Sequence, residues 1–282
     1  MLLEFEQVYY TYPGSDQPAL QNLTLRVPLS KRCALIGQNG CGKTTLFLLA
    51  NGLYKPQQGR IQWQGSPLRY DRSFLLNLRQ KVGLVFQDPE QQLVASTVEE
   101  DISYGLCNLG LPDAEVIQKV GEVIAAFDLT KLAVRPVHHL SLGQKKRVSL
   151  ADVMVLEPEL LLLDEPTAYL DPRQTRNLMA KLRQIHQKGT TIVLATHDLN
   201  LAYSWADWIF ILDKGQLVLE GTPQAVFAQR ETLEQLQLGV PLVFEVLDQV
   251  AEALSRAPKQ SQEINHISKQ LQNRILDLFR YD

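Results

Sequence analysis

The stretch GQNGCGKTT, residues 37–45, limits what this chain can become more than any other. It fits the pattern G-x-x-x-x-G-K-[ST], in which glycines let successive backbone N–H groups turn inward around phosphate oxygens. The flanks agree with that use. CALI, residues 33–36, is an apolar run of the kind buried on both faces of a sheet, and TLFLLAN, residues 45–51, reads as a helix closed by Gly52. Such a helix presents its positive end to an anion. Lys43 is placed to neutralise the β- and γ-phosphates, and Thr44 to give an oxygen to Mg²⁺. Candidate nucleotide contacts are Gly37, Asn39, Gly40, Cys41, Gly42, Lys43, Thr44 and Thr45. The loop implies a nucleoside triphosphate and leaves open the work done with it.

The surrounding pattern is that of a mostly parallel sheet, with short β-like runs between helical stretches. Strands are expected at Leu23–Val27, Cys33–Ile36, Ile61–Trp63, Val82–Phe86, Leu160–Leu163, Thr191–Ala195 and Trp208–Leu212. Asp213-Lys214-Gly215 then predicts a hairpin turn into Gln216–Leu219. Between Phe86 and Leu160 the chain reads helical, around Asp113–Phe127 and Gly143–Leu156, as a subdomain inserted into a nucleotide-binding core. After Thr222-Pro223 it is again helical and polar. There Ile264, Ile267, Leu271, Ile275 and Leu278 form one apolar stripe, suited to packing on its own domain or on a partner.

Composition excludes several classes. With 282 residues the chain can bury one main domain plus an insertion or appendage. A net charge of −3 with no long basic run gives no electrostatic footprint for nucleic acid. The apolar runs are far shorter than a bilayer span, and MLLEFEQVYY has no basic start or long apolar segment, so no secretory signal is expected. Cys33, Cys41 and Cys107 have neither disulfide-framework nor zinc-site spacing, as suits a reducing cytoplasm.

Further polar groups stand at the ends of apolar strands, where open α/β sheets put ligand-binding residues. LLLLDEP, residues 160–166, ends in two acids: Asp164 suits a water-mediated Mg²⁺ contact, and Glu165 suits polarising an attacking water. LATHD, residues 194–198, repeats the design with His197, a donor for a γ-phosphate. HHLSLGQKKR, residues 138–147, puts Ser141 and Gly143 before a helix, a second anion site in a chain whose own phosphates already have a cradle. That suggests another molecule's nucleotide, hence a dimer. His138 and His139 read as a loop rather than a metal site, and Lys145, Lys146 and Arg147 as a solvated helix face.

Together these pieces resemble the nucleotide-binding subunit of an ATP-binding-cassette (ABC) system, from about Leu2 to Phe227. The resemblance implies an α/β fold: a P-loop (RecA-like) nucleotide-binding core with an antiparallel β subdomain, an inserted α-helical subdomain at about 88–157 and a short helical C-terminal extension over 228–282. It implies ATP and Mg²⁺ as cofactors and ATP hydrolysis as the activity. Tyr12, in YTYPG, matches the residue that stacks on adenine; GQNGCGKTT is the Walker A loop and LLLLDEP the Walker B strand with its catalytic Glu165. LSLGQ, with Ser141, Gly143 and Gln144, is similar to the signature that contacts ATP held by the opposite subunit. Asp171 ends the D-loop at the dimer interface, His197 is the switch histidine, and Gln87 is the Q-loop glutamine that touches Mg²⁺ and the attacking water. The metal contacts implied are Thr44, Gln87 and Asp164.

FQDPEQQLVASTVEEDISYGLCNLGLP, residues 86–112, is similar to the energy-coupling-factor branch, the cobalt/nickel-type importer ATPases and their vitamin-importing relatives. In those, the glutamine-rich segment and the next helix receive coupling helices of a transmembrane subunit. The implied partners are a second ATPase subunit, identical or related, a transmembrane coupling subunit and a small membrane-embedded substrate-binding subunit, with no nucleic acid. The implied location is peripheral, on the cytoplasmic face of the cell membrane. GTPQAVF, residues 221–227, also resembles that branch.

Several residues depart from the pattern. Leu142 replaces a signature glycine, Tyr169 a D-loop glycine, and Ser30-Lys31 a common Gly-Glu turn; the segment beyond Arg256 matches poorly. Cys41 within the phosphate loop predicts that oxidation blocks nucleotide. Rival readings are another ABC transporter's ATPase, an ABC ATPase acting on DNA or ribosomes, and a P-loop kinase; the last would not need LSLGQ or the D-loop. The cargo stays open.

Overall fold

A computed structural model of the chain describes residues 1–246 together with residue 249. The apolar stripe between Ile264 and Leu278 lies outside the described residues. Strands β1 (Leu3–Tyr10), β2 (Leu20–Val27), β4 (Gln58–Trp63) and β5 (Ser66–Pro67) form an antiparallel sheet in the order β2-β1-β4-β5. Strands β3 (Arg32–Ile36), β6 (Val82–Val85), β7 (Leu160–Asp164), β8 (Thr191–Thr196), β9 (Trp208–Asp213) and β10 (Gln216–Gly221) form a second sheet, ordered β10-β9-β3-β8-β7-β6. It is parallel except for the β9–β10 hairpin.

The helices are α1 (Lys43–Ala50), α2 (Arg72–Lys81), α3 (Val98–Asn108), α4 (Asp113–Ala126), α5 (Leu142–Met154), α6 (Pro172–Gln187), α7 (Leu199–Trp205), α8 (Pro223–Phe227) and α9 (Arg230–Gln235). Between β6 and β7 the regular elements are helical, as expected.

The parallel strands are apolar throughout because both sheet faces are covered; every residue of β7 and β8 is buried. Side chains alternate between two cores. Leu35, Leu160, Leu162, Val193 and Phe210 pack with the antiparallel sheet and α1. Ile36, Leu161, Leu163, Leu194 and Ile211 pack with α3 to α7. Each buried leucine contributes about 1.5–3 kcal/mol, so β7 is a stiff base for whatever its C-terminal end carries.

β1 was not among the strands expected, and the reason is local. Leu3 and Phe5 face the core, then Val8 and Tyr10, so the alternation slips by one residue. The register shift between Phe5 and Val8, with Gln7 at φ 49°, is a bulge that breaks the period-two signal.

Candidate nucleotide site

The C-terminal ends of β3, β7 and β8 open on one cleft of about 1330 Å³. Its wall includes Tyr12, Gly37, Asn39, Gly40, Gly42, Lys43, Thr44, Thr45, Gln87, Asp164, Glu165 and His197. Adjacent parallel strands hold these groups in register, since β3 pairs β8 and β8 pairs β7.

The phosphate loop needs glycine at two crowded points. Gly37 passes so close to β9 that a Cβ there would lie 2.3 Å from the Leu212 carbonyl oxygen. Gly42 precedes α1 at φ 109°, where a Cβ would meet the Ala19 carbonyl at 2.6 Å. Lys43 is buried, and its Nζ donates to the carbonyls of Gly37 (2.7 Å) and Gln38 (3.2 Å). Thr44 Oγ1 donates to Asp164 Oδ2 at 2.5 Å. Burial pushes the Asp164 carboxyl up from its ordinary range, against the Thr44 bond and the Lys43 charge. A cation beside Asp164 would offset that burial cost.

Glu165 follows at φ 44°, a conformation that costs a non-glycine residue about 1–3 kcal/mol unless its surroundings fix it. Its N–H donates to the Ala195 carbonyl of β8 at 3.0 Å. Glu165 Oε2 lies 3.0 Å from His197 Nδ1, while Oε1 is buried without a hydrogen-bond partner among the described residues. Tyr12 stands at the cleft rim with its hydroxyl 3.0 Å from Thr45 Oγ1, its ring set edge-on to Tyr10 and Tyr54.

Among the described residues no cluster of three or more His, Cys, Asp or Glu groups could by itself hold a metal ion, around His138 and His139 or elsewhere. They lie in a short 3₁₀ turn, Val137–His139. Thr44 and Asp164 offer hard oxygen donors in contact with each other. That is a partial shell suited to Mg²⁺, which takes its remaining ligands from phosphate and water.

Ser141, Gly143 and Gln144 are not on this cleft. They line a separate cavity of about 460 Å³ between α5 and α6. Ser141 caps α5 in a reciprocal pair with Gln144, and Leu142 next to it is partly exposed. Asp171 caps α6, its Oδ1 accepting the Gln174 N–H at 2.8 Å. Cys41 also turns away from the cleft: it is buried, and burial raises its thiol above the ordinary value despite Lys43 nearby. A thiol so placed is a poor target for oxidants, contrary to the expectation from sequence. ATP affinity is therefore expected to be unchanged after millimolar peroxide; a loss that a thiol reductant reverses would contradict this.

The basic run after the signature is not a solvated face. Lys146 is 6% exposed, its Nζ donating to the carbonyls of Glu165 (3.3 Å), Pro166 (3.0 Å) and Ala168 (2.8 Å). Burial lowers its ammonium to about 8, opposed by the charges of Glu165 and Asp88. Lys145 pairs with Glu90. Nor are the glutamines after Gln87 all outward. Gln92 Nε2 donates to the Ser149 carbonyl at 2.6 Å, latching the segment to α5.

Gln237, Leu238 and Gly239 were not foreseen on the cleft wall. Gln38 Nε2 donates to the Leu236 carbonyl at 3.0 Å and brings that turn to the phosphate loop. No spacing rule in the sequence signals such a contact.

Comparison with known proteins accounts for this arrangement. The profile of the family described as ABC transporter matches residues 20–168, and the chain belongs to the ABC transporter family as an ATP-binding subunit, an ATPase coupled to transport. Its relatives put it in the energy-coupling-factor group. A Nostoc sp. protein named "Putative ABC transporter ATP-binding protein" is 64% identical over 99% of this chain and 98% of its own length. The energy-coupling factor transporter ATP-binding protein EcfA of Carboxydothermus hydrogenoformans is 40% identical over 88% of this chain and 90% of its own. The cobalt import ATP-binding protein CbiO of Salmonella typhi is 42% identical over 85% and 88%. The solved structure of cbiO1 from Clostridium perfringens, part of the ABC transporter complex cbiONQ, superposes with a TM-score of 0.74. It is 37% identical and covers 88% of this chain and 98% of its own.

Proposed function

We propose that the chain powers an energy-coupling-factor importer from the cytoplasmic face of the cell membrane, driving uptake of a transition-metal ion or a vitamin. The observation that carries this is the split of the site. One cleft gathers Lys43, Thr44, Asp164 and Glu165, while Ser141 and Gly143 lie on another surface, as suits two subunits closing on two ATP molecules. The second subunit is another copy or a related ATPase.

In this reading Tyr12 stacks on adenine, and the backbone of Gly37, Asn39, Gly40, Cys41 and Gly42 with Lys43 and Thr45 cradles the phosphates. Thr44 and Asp164, with Gln87, would hold Mg²⁺, which would supply charge neutralisation to the phosphates. Glu165 orients and polarises the attacking water, and His197 steadies the same carboxylate. Ser141, Gly143, Gln144 and Asp171 serve the opposite subunit's nucleotide. The division into a cassette over 1–227 and an extension over 228–282 belongs to the same proposal.

The membrane partner binds at a groove of about 250 Å³ beneath the segment after Gln87, lined in part by Leu53, Phe86, Val94, Tyr104 and Leu156. Val94 and Tyr104 are exposed apolar groups of the kind that mark a docking surface. That groove receives a helix of a transmembrane coupling subunit, which works with a small membrane-embedded substrate-binding subunit. Among the described residues no helix is long and apolar enough to cross a membrane. Tyr104→Glu is expected to move the chain from the membrane fraction to the soluble one with ATP affinity unchanged. Full retention on membranes would contradict the groove assignment.

A further inference from the structure

Lys146 lies in α5, four residues after its first residue Leu142, and its ammonium crosses to the segment that follows β7. A buried ammonium is costly unless its N–H groups are all satisfied. Here the partners are three carbonyl oxygens of one turn, those of Glu165, Pro166 and Ala168. That turn holds Glu165 at φ 44° and Tyr169 at φ 63°, both in the left-handed region. The Glu165 carbonyl also accepts the Ala168 N–H at 3.1 Å, so the turn closes on itself and is then pinned to α5 from outside. The start of α5 carries Ser141 and Gly143.

We propose that Lys146 is a positioning residue for hydrolysis: it clamps the Glu165–Ala168 turn to α5 and so aims the Glu165 carboxylate into the cleft. The clamp also makes one rigid piece of the turn that serves this subunit's ATP and the helix end that serves its partner's. The Lys146 ammonium bonds to backbone carbonyls of the turn, so it acts through the turn and not on the nucleotide. The inference rests on the reading of Glu165 as the group that polarises water.

The test uses the full chain with three variants, comparing turnover and ATP affinity for each. Lys146→Met keeps the stem and removes every donor. It is expected to lower kcat about tenfold or more, the effect of a misaimed catalytic group, with ATP affinity unchanged. Lys146→Arg restores the donors and is expected to recover much of the loss. A merely structural role would lower the melting temperature and leave kcat per folded molecule intact, and that result overturns the inference. Should the Met variant not fold, Lys146→Gln, with its two amide donors, decides by the same split: wild-type kcat with unchanged affinity overturns it, and a reduced kcat supports it. Glu165→Gln run alongside separates the two readings. If that variant turns over normally, the role of Glu165 fails; if it is inactive while Lys146→Met is fully active, only the clamp fails.

Discussion

Glu165→Gln is expected to lower ATP turnover by about 10²–10⁴-fold, the usual contribution of a general base, while leaving ATP binding intact. Glu165 stands at the end of a fully buried strand, one residue after Asp164, with its N–H tied to β8. One carboxylate oxygen meets His197 and the other has no hydrogen-bond partner among the described residues. The amide keeps the shape of the side chain and can still bond His197, but it cannot take a proton from water. The phosphate contacts of Lys43 and the loop are untouched, so the closed, ATP-loaded pair should accumulate. Phosphate release and ATP-dependent dimer formation, measured on the same sample, check both halves. Unimpaired turnover would remove Glu165 from the proposed role.

Lys43→Ala acts at the opposite end of the cycle. The Lys43 ammonium is buried and bonded to two loop carbonyls, from which it can turn to phosphate. A pair of unit charges about 4 Å apart gains about 4 kcal/mol at an effective dielectric of about 20. Part of that is spent in giving up the Gly37 and Gln38 carbonyls. A net loss of about 2–4 kcal/mol corresponds to ATP affinity about 30–1000-fold weaker. Titration with a fluorescent nucleotide reads this directly, and retained affinity would count against the cradle.

How far the sequence revealed this site depends on how local each signal is. The phosphate loop is a contiguous stretch whose glycines answer to backbone crowding, so Gly37 and Gly42 were legible without any fold. Asp164 was legible because it ends the apolar run of β7, and His197 because it directly follows the mostly apolar β8. The α6 start carries a local signal in Asp171-Pro172 with Gln174, a cap followed by proline at the first turn. Lys146 was misread because a Lys-Lys-Arg run on a helix is normally solvated; only the return of the chain at 165–168 buries it. The Gln92 latch had no local signal either, since its partner Ser149 is far away in sequence. The turn at 236–239 meets the phosphate loop across nearly the whole domain, and nothing within either segment announces the other.

The most direct test of the transport assignment is to tag the full chain in its native cell, purify it from detergent-solubilised membranes and identify what comes with it by mass spectrometry. The expected result is a transmembrane coupling subunit together with a small, very apolar substrate-binding protein. Recovery with ribosomes, DNA or soluble partners alone would contradict it.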